Sequence, residues 1–526
     1  MTWKKLVPIA AILVVLLCLV VIKQAYERPV PIEEAVDLPR LVPEGLEKAD
    51  VAKLELRVGP KPNEKVILER VPDSPEEWQV SSHYNAPVDK KKIGDFLSLL
   101  TQLRGEIRER DAADEGLNSY ELSDNRALHI LGYKKGEPNP AFQILVGKQA
   151  GSGQVFARKM DSKDVLVLAS NPRREAGLWS DDMEKAPEAS PWLDKVIANL
   201  DPDKVNKLTI QAPHKRLVFE KREKPAPPSE TEDQAEPAES AQETEEKPKE
   251  PEFEWVLVEG GGGRTFKQPG LDSLVRTFDN LNALDVVDPA RKAEWGLEPA
   301  QFVCTIATTE AESPLVLEGG RPNPAEDGYM RVASRQRDVV YKVSKYTFDK
   351  AYGINKDLSL FDLEGLSLNA EDMAHVEVRQ PEGDFVLARE EGKWKVVKPT
   401  APLDPQLSTL NTVGSTLARW RAADYADSAK GTGLETPTRT VTFTTAAKDS
   451  HTLELGNDAS FLDGAYARLD GGQSALFMSR MDINRIFVPP KDLYARQLLD
   501  VFEDDVQRIE VERATDAFTL ARAPDN

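Results

Sequence analysis

Short runs of alternating apolar and polar residues recur along most of the chain, and they recur in a fixed order. Val51-Ala-Lys-Leu54-Glu-Leu56, Val205-Asn-Lys-Leu208-Thr-Ile210 and Met373-Ala-His-Val376-Glu-Val378 each read as a half-buried strand. A second strand follows at Val66–Arg70, Leu217–Glu220 and Phe385–Arg389. A third is built around Trp78, Trp255 or Trp394. Period-two patterning broken by Gly- and Asp-containing turns predicts antiparallel hairpins. The period then changes, predicting helices over 89–104, 270–284 and 404–419. In the first of these, Ile93, Phe96, Leu97, Leu100 and Leu103 share one face.

Later landmarks keep the same order. A leucine (Leu122, Leu297, Leu434) precedes a strand ending in Gly147, Gly319 or Gly456. An aromatic-x-Arg strand then carries Arg158, Arg331 or Arg468, and closing strands lie at 165–168, 339–343 and 475–479. The step from tryptophan to leucine is 44, 42 and 40 residues, too regular for coincidence. The pattern predicts an α+β fold: three tandem copies of an antiparallel-sheet-plus-helix unit after an N-terminal transmembrane helix. The expected segments are 1–26 (cytoplasmic stub and signal anchor), 51–200, 201–370 and 371–503. Helical stretches at 191–200 and 493–502 would join the copies into a semi-rigid row. The first two strands begin again at Val506–Val511 and Phe518–Arg522, so 504–526 is either a partial fourth unit or a capping hairpin.

The N-terminus predicts the compartment. Leu6–Ile22 is 17 residues without a charge, about 25 Å as a helix against a bilayer core of about 30 Å. Trp3, Lys23 and Tyr26 can extend that span into the interfaces. Cleavage would need a small-x-small site, absent from 21–26, and a lipoprotein box would need a small residue where Leu17 stands. The expectation is an uncleaved anchor in membrane lipid through residues 6–22. By the positive-inside rule, Lys4 and Lys5 predict a cytoplasmic N-terminus and the bulk of the chain outside.

Charge changes the picture in two ways. With 68 Lys+Arg against 89 Asp+Glu, the formal charge is −21, which argues against nucleic acid as partner. Residues 221–252 supply −6 of it in a Pro-, Ala- and Ser-rich run without an aromatic residue, which predicts disorder. The run lies between the second and tryptophan strands of the middle copy, so it lengthens a hairpin and separates no domains. Two readings stay open for it, a tolerated loop and a docking tail for a basic partner.

Candidate chemistry is sparse. Gly260–Gly263 lacks the Gly-Lys-Ser/Thr of a phosphate loop, and the five histidines have no metal-ligand spacing. Cys304 sits in an apolar strand where a thiol is inert. Arg158, Arg331 and Arg468 each share a face with an aromatic residue, which predicts cation–aromatic contacts or cross-strand ion pairs. A framework residue is needed in every copy and a catalytic group once, and what recurs here is framework. No catalytic, cofactor or metal residue is assigned.

The succession of three strands, Ala401-Pro402-Leu403-Asp404, Trp295-Gly-Leu297-Glu-Pro299, Gly433-Leu434-Glu-Thr-Pro437 and Tyr329-Met-Arg331 resembles a bacterial family of unknown function, numbered 4340. The first copy departs from it, with Tyr120-Glu121-Leu122 in place of the glycine. The resemblance implies a membrane-anchored extracytoplasmic protein, often encoded beside ABC-type transporter components like those of gliding-motility systems. It defines no catalytic residues. The expected function is a non-enzymatic scaffold or accessory subunit with membrane-protein partners. The alternatives are an envelope glycan- or peptide-binding module using exposed Trp, Tyr and Arg side chains, which fails if Trp78, Trp255 and Trp394 are all buried in sheet cores as expected, and, more remotely, a hydrolase.

Overall fold

The computed structural model describes residues 38–151, 153–180, 182–224, 253–335, 338–354, 360–495, 505–513 and 516–522. The apolar run 6–22 and residues 225–252 of the acidic segment lie outside them. Among the described residues no helix is long and apolar enough to cross a membrane.

Each copy builds one antiparallel sheet. The first runs Val51–Val58, Lys61–Val71, Ser74–Val80, Gly105–Glu109, Leu128–Lys134, Phe142–Gly151, Gln154–Lys159 and Val165–Leu168. With strands numbered one to eight within a copy, the spatial order is three-two-one-five-six-seven-eight-four in all three sheets. The first sheet adds a two-residue strand, Ala86–Pro87, beside strand three. Strand four therefore closes the far edge, and the chain must traverse a sheet face between strands three and four. The predicted helix makes that traverse, as Lys90–Thr101, Gln268–Val275 and Leu407–Ala418, the middle one ending well short of 284 because Leu281–Asn282 forms a strand. Its apolar stripe turns inward: Ile93, Phe96, Leu97 and Leu100 are buried in the first copy, Leu410, Val413 and Leu417 in the third. Asp89 caps the first helix by accepting from the Lys92 amide at 2.9 Å. Asp404 does not cap its counterpart, which begins three residues later at Leu407.

The chain divides into two compact units, 1–194 and 195–526, the second holding copies two and three. The hairpin expected at 504–526 forms as Arg508–Glu512 paired with Ala517–Ala521, a sheet of two strands.

Two expectations need correction, and a third falls mostly outside the described residues. The join at 191–200 is not helical: a single turn, Ser190–Trp192, gives way to the strand Val196–Ala198, paired with Leu281–Asn282. Pro191 starts a turn, and the β-branched Val196 and Ile197 favour extended backbone. At 493–502 the described part is the turn Pro490–Leu493, and 496–504 lie outside. Finally, the acidic segment does not begin at 221. Strand two of the middle copy continues to Glu223, and Lys221, Arg222 and Glu223 pair with Trp255, Glu254 and Phe253.

The leucine landmark is a left-handed turn, with Gly296 at φ 70°, Gly433 at φ 73° and Glu121 at φ 57°. The first copy thus keeps the conformation without the glycine. The carbonyl before each of these residues lies against strand six. A Cβ on Gly147 would sit 2.2 Å from Tyr120 O, one on Gly456 would sit 2.1 Å from Thr432 O, and one on Gly320 would sit 2.1 Å from Trp295 O. The recurring glycine of the middle copy is therefore Gly320. Gly319, its neighbour, instead makes room for the Tyr352 ring.

Gly147→Ala should cost about 2–4 kcal/mol, because backbone on both sides prevents relaxation. Gly94→Ala, in the same unit but with open space around the new methyl, should stabilise by about 0.5–1 kcal/mol. Urea unfolding of the two variants against the parent chain checks both signs.

Candidate functional site

The repeat landmarks are consumed by the framework. Trp78, Trp255 and Trp394 are only 5%, 6% and 4% exposed. Opposite each, across the strand pair, stands a cation: Arg70, Lys221 or Arg389. The Arg70 and Arg389 guanidinium groups lie 5.0 and 5.8 Å from the indole centroids. Each cation also donates to the turn that starts strand one. Arg70 Nε reaches Val51 O at 2.9 Å, Lys221 Nζ reaches Asp203 O at 3.1 Å, and Arg389 Nη1 reaches Ala370 O at 2.7 Å.

The recurring arginines behave similarly. Arg331 and Arg468 form the predicted cross-strand ion pairs, with Glu318 at 2.9 Å and Glu454 at 2.7 Å. Arg158 does not, because Leu145 is its cross-strand neighbour. It is buried instead. It donates from Nε to Leu122 O at 2.9 Å and from Nη1 to Lys159 O and Ser162 O at 3.1 Å, and it pairs with Asp124. Arg468 makes the corresponding bond to Leu434 O at 3.0 Å. The aromatic partners look elsewhere, Tyr329 stacking on Trp295 at 4.2 Å and Phe156 packing on Tyr120 at 4.6 Å.

The polar groups that do not recur gather where copies two and three meet inside the second compact unit. In the middle copy the turn after strand one carries His214 and strand two opens with Lys215, and strand four of the last copy, Asp424–Ala426, carries Asp424. All three are buried. Lys215 Nζ donates to both Asp424 carboxylate oxygens at 2.6 Å, His214 Nε2 lies 3.0 Å from Oδ2, and the Tyr425 amide donates to Oδ1 at 2.9 Å. The His214 ring is stacked on Phe461 at 4.7 Å and edge-on to Phe477 at 5.3 Å. Further bonds close the joint. Arg264 makes a two-pronged pair with Glu364 (3.2 and 2.7 Å) and covers the Tyr425 ring. The Tyr425 hydroxyl accepts from the Gly261 amide at 3.1 Å. Fully buried Arg321 pairs with Asp349 and donates to Phe461 O at 3.0 Å.

Burial alone would raise the Asp424 carboxyl, but Lys215 and His214 outweigh it and hold its pKa at about 2. His214 is pushed down by burial, against the pull of Asp424, and stays neutral at pH 7. Cys304, also buried, has its thiol pushed up by desolvation alone. With both oxygens bonded, Asp424 has no lone pair positioned to take a proton from a reactant, so the cluster works as a lock. A cavity of about 480 Å³ adjoins it, lined by apolar Ile354, Phe477, Met478 and Met481 and by the charged Lys345, Asp349, Asp424, Asp463 and Arg480.

Sequence spacing missed this cluster because its members lie some 210 residues apart. A signal existed nonetheless. Pro213-His214 fills a hairpin turn whose counterparts are Gly59-Pro60 and Pro381-Glu382-Gly383, so the pair departs from the repeat.

The fold and its landmarks define a class, proteins built of tandem sheet-and-helix repeats. The model of a domain of unknown function, DUF4340, matches residues 78–299, 255–432 and 428–526. The chain belongs to this family. No curated protein matches it significantly. Among solved structures it is similar to a DNA polymerase sliding clamp from Pseudomonas aeruginosa crystallised with a ligand. The identity is 8% over 84% of this chain and 93% of that one, and the TM-score of 0.11 carries no argument.

Removing one partner should expose the cost of the buried charges. Asp424→Leu strands the Lys215 ammonium and should lower stability by about 3–5 kcal/mol, and adding Lys215→Met should restore most of it. The pH dependence has a definite sign. The unfolded chain binds a proton on His214 near 6.5, above the folded value, so stability falls as pH drops below about 6.5. Asp424 adds a second loss between its ordinary 3.8 and about 2. Urea unfolding at pH 7.5, 6.5 and 5.5 should show a shallower slope for His214→Gln than for the parent.

Proposed function

We propose that the chain is a non-enzymatic, single-pass inner-membrane protein. Its repeats serve as an extracytoplasmic scaffold or accessory subunit of an ABC-transporter-like envelope complex. One observation carries this reading: the polar side chains that recur, and the buried ionic cluster that does not, are spent on bonds within the framework. Tryptophans, arginines, His214, Lys215 and Asp424 all hold strand to turn or copy to copy. The partners are membrane lipid through residues 6–22 and integral proteins of the complex, with nucleic acid disfavoured by the acidic balance. The glycan- or peptide-binding reading required exposed indole faces to stack on a ligand, and Trp78, Trp255 and Trp394 are all buried.

Affinity capture of the full-length chain from detergent-solubilised membranes should recover integral membrane proteins in constant ratio, and recovery as a partnerless monomer would overturn the scaffold. A reporter active only outside the cytoplasm, fused after residue 30, should be active. An inactive fusion would reverse the orientation.

A further inference from the structure

Because the copies superimpose in strand order, they allow an internal comparison: what all three share is framework, and what one has alone on a shared surface calls for another explanation. A groove lies above the tryptophan between the turn into strand one and the crossing helix. In the first copy its volume is about 660 Å³, and apolar Ala49, Ala52, Val71, Pro72 and Pro75 line it over the buried Trp78, Ile93 and Leu97. Four cations line it, Lys48, Arg70, Lys90 and Lys135, against the single carboxylate of Glu76. The corresponding groove over Trp255 is smaller, about 490 Å³. It balances Lys221, Lys224 and Arg276 against Asp203, Glu254 and Asp272.

The three lysines belong to the first copy alone. Lys48 opens the short turn before strand one, where the other copies have Pro202 and Ala370. Lys90 is the first residue of the helix, where Gln268 and Leu407 stand. Lys135 follows strand five, where Thr309 and Ala446 stand. None of the three makes an ion pair among the described residues, and Arg70 is held by Trp78 and by backbone carbonyls. Lys90 moreover opens a run of three lysines in the first helical turn, the end where the helix dipole disfavours cations. Four cations over an apolar floor, in a chain of net charge −21, complement an amphiphilic anion.

We propose that this groove binds an anionic phospholipid, its phosphate held by Lys48, Lys90 and Lys135 and its acyl chain laid over Ala52, Val71, Pro72 and Pro75. The choice of a lipid over an acidic peptide rests on the reading of residues 6–22 as an anchor. That anchor would hold the first copy at the membrane surface, where anionic headgroups attract lysines.

The test uses the full-length chain in nanodiscs of phosphatidylglycerol with phosphatidylcholine, or of phosphatidylcholine alone, with amine-reactive labelling read by mass spectrometry. Labelling of Lys48, Lys90 and Lys135 should fall at least threefold in the anionic discs, while exposed Lys448 is unchanged. Lys48→Gln/Lys90→Gln/Lys135→Gln should retain fewer than half as many phosphatidylglycerol molecules. Equal labelling in both discs would overturn the proposal, as would protection in phosphatidylcholine alone. A titration with short-chain phosphatidylglycerol in neutral detergent tests the groove without insertion. Protection there supports the site even if the chain fails to enter discs, an outcome that would sink the anchor alone. No protection there overturns the groove, and equal protection by inorganic phosphate would assign the site to free phosphate instead.

Discussion

The fold of each copy depends on one close approach of backbone to backbone. After strand three the chain crosses a sheet face as a helix, forms strand four at the far edge, and must return to the centre for strand five. The return is a left-handed turn whose carbonyl presses onto strand six, at a place where only glycine leaves room. Gly147, Gly320 and Gly456 meet Tyr120 O, Trp295 O and Thr432 O at distances no Cβ could tolerate. Seen this way, the leucine landmark and the strand-ending glycine are two halves of one contact. Arg158 and Arg468 complete it by bonding the leucine carbonyl that the turn leaves over, since a buried carbonyl needs a donor.

This contact explains which parts of the fold were legible in the sequence. Strands, helix and repeat were readable because periodicity two and 3.6 report burial directly, and the three tryptophans and the landmark leucines are buried. The turn conformation was readable only where glycine marks it. At Glu121 the first copy adopts the same φ with a residue that gives no such signal. The strand pattern placed the recurring glycine of the middle copy at Gly319, one position short of Gly320, because it cannot say which residue the carbonyl approaches. The extension of strand two through Glu223 was hidden by composition: Lys221 opens an acidic, proline-rich run, yet it is the cation that faces Trp255 and holds the turn at Asp203.

The site was less legible than the fold, for a different reason. His214, Lys215 and Asp424 become neighbours only through the packing of one copy on the next, and no periodicity within a copy reports that. Tandem copies share their surfaces, so an apolar joint would accept several pairings of one copy on another. A buried ionic group does not, because a wrong pairing leaves a charge without its partner at a cost of several kcal/mol. The edge aspartate shows the logic. Asp285 holds the place of Asp424 in the middle copy and accepts the same local amide bond, from Val286 at 2.9 Å, so the edge strand alone is generic. The selective element is the hairpin that supplies His214 and Lys215. Bond saturation makes such a group poor as a catalyst and effective as a register mark. The same feature that speaks for a scaffold therefore also fixes which copy is joined to which.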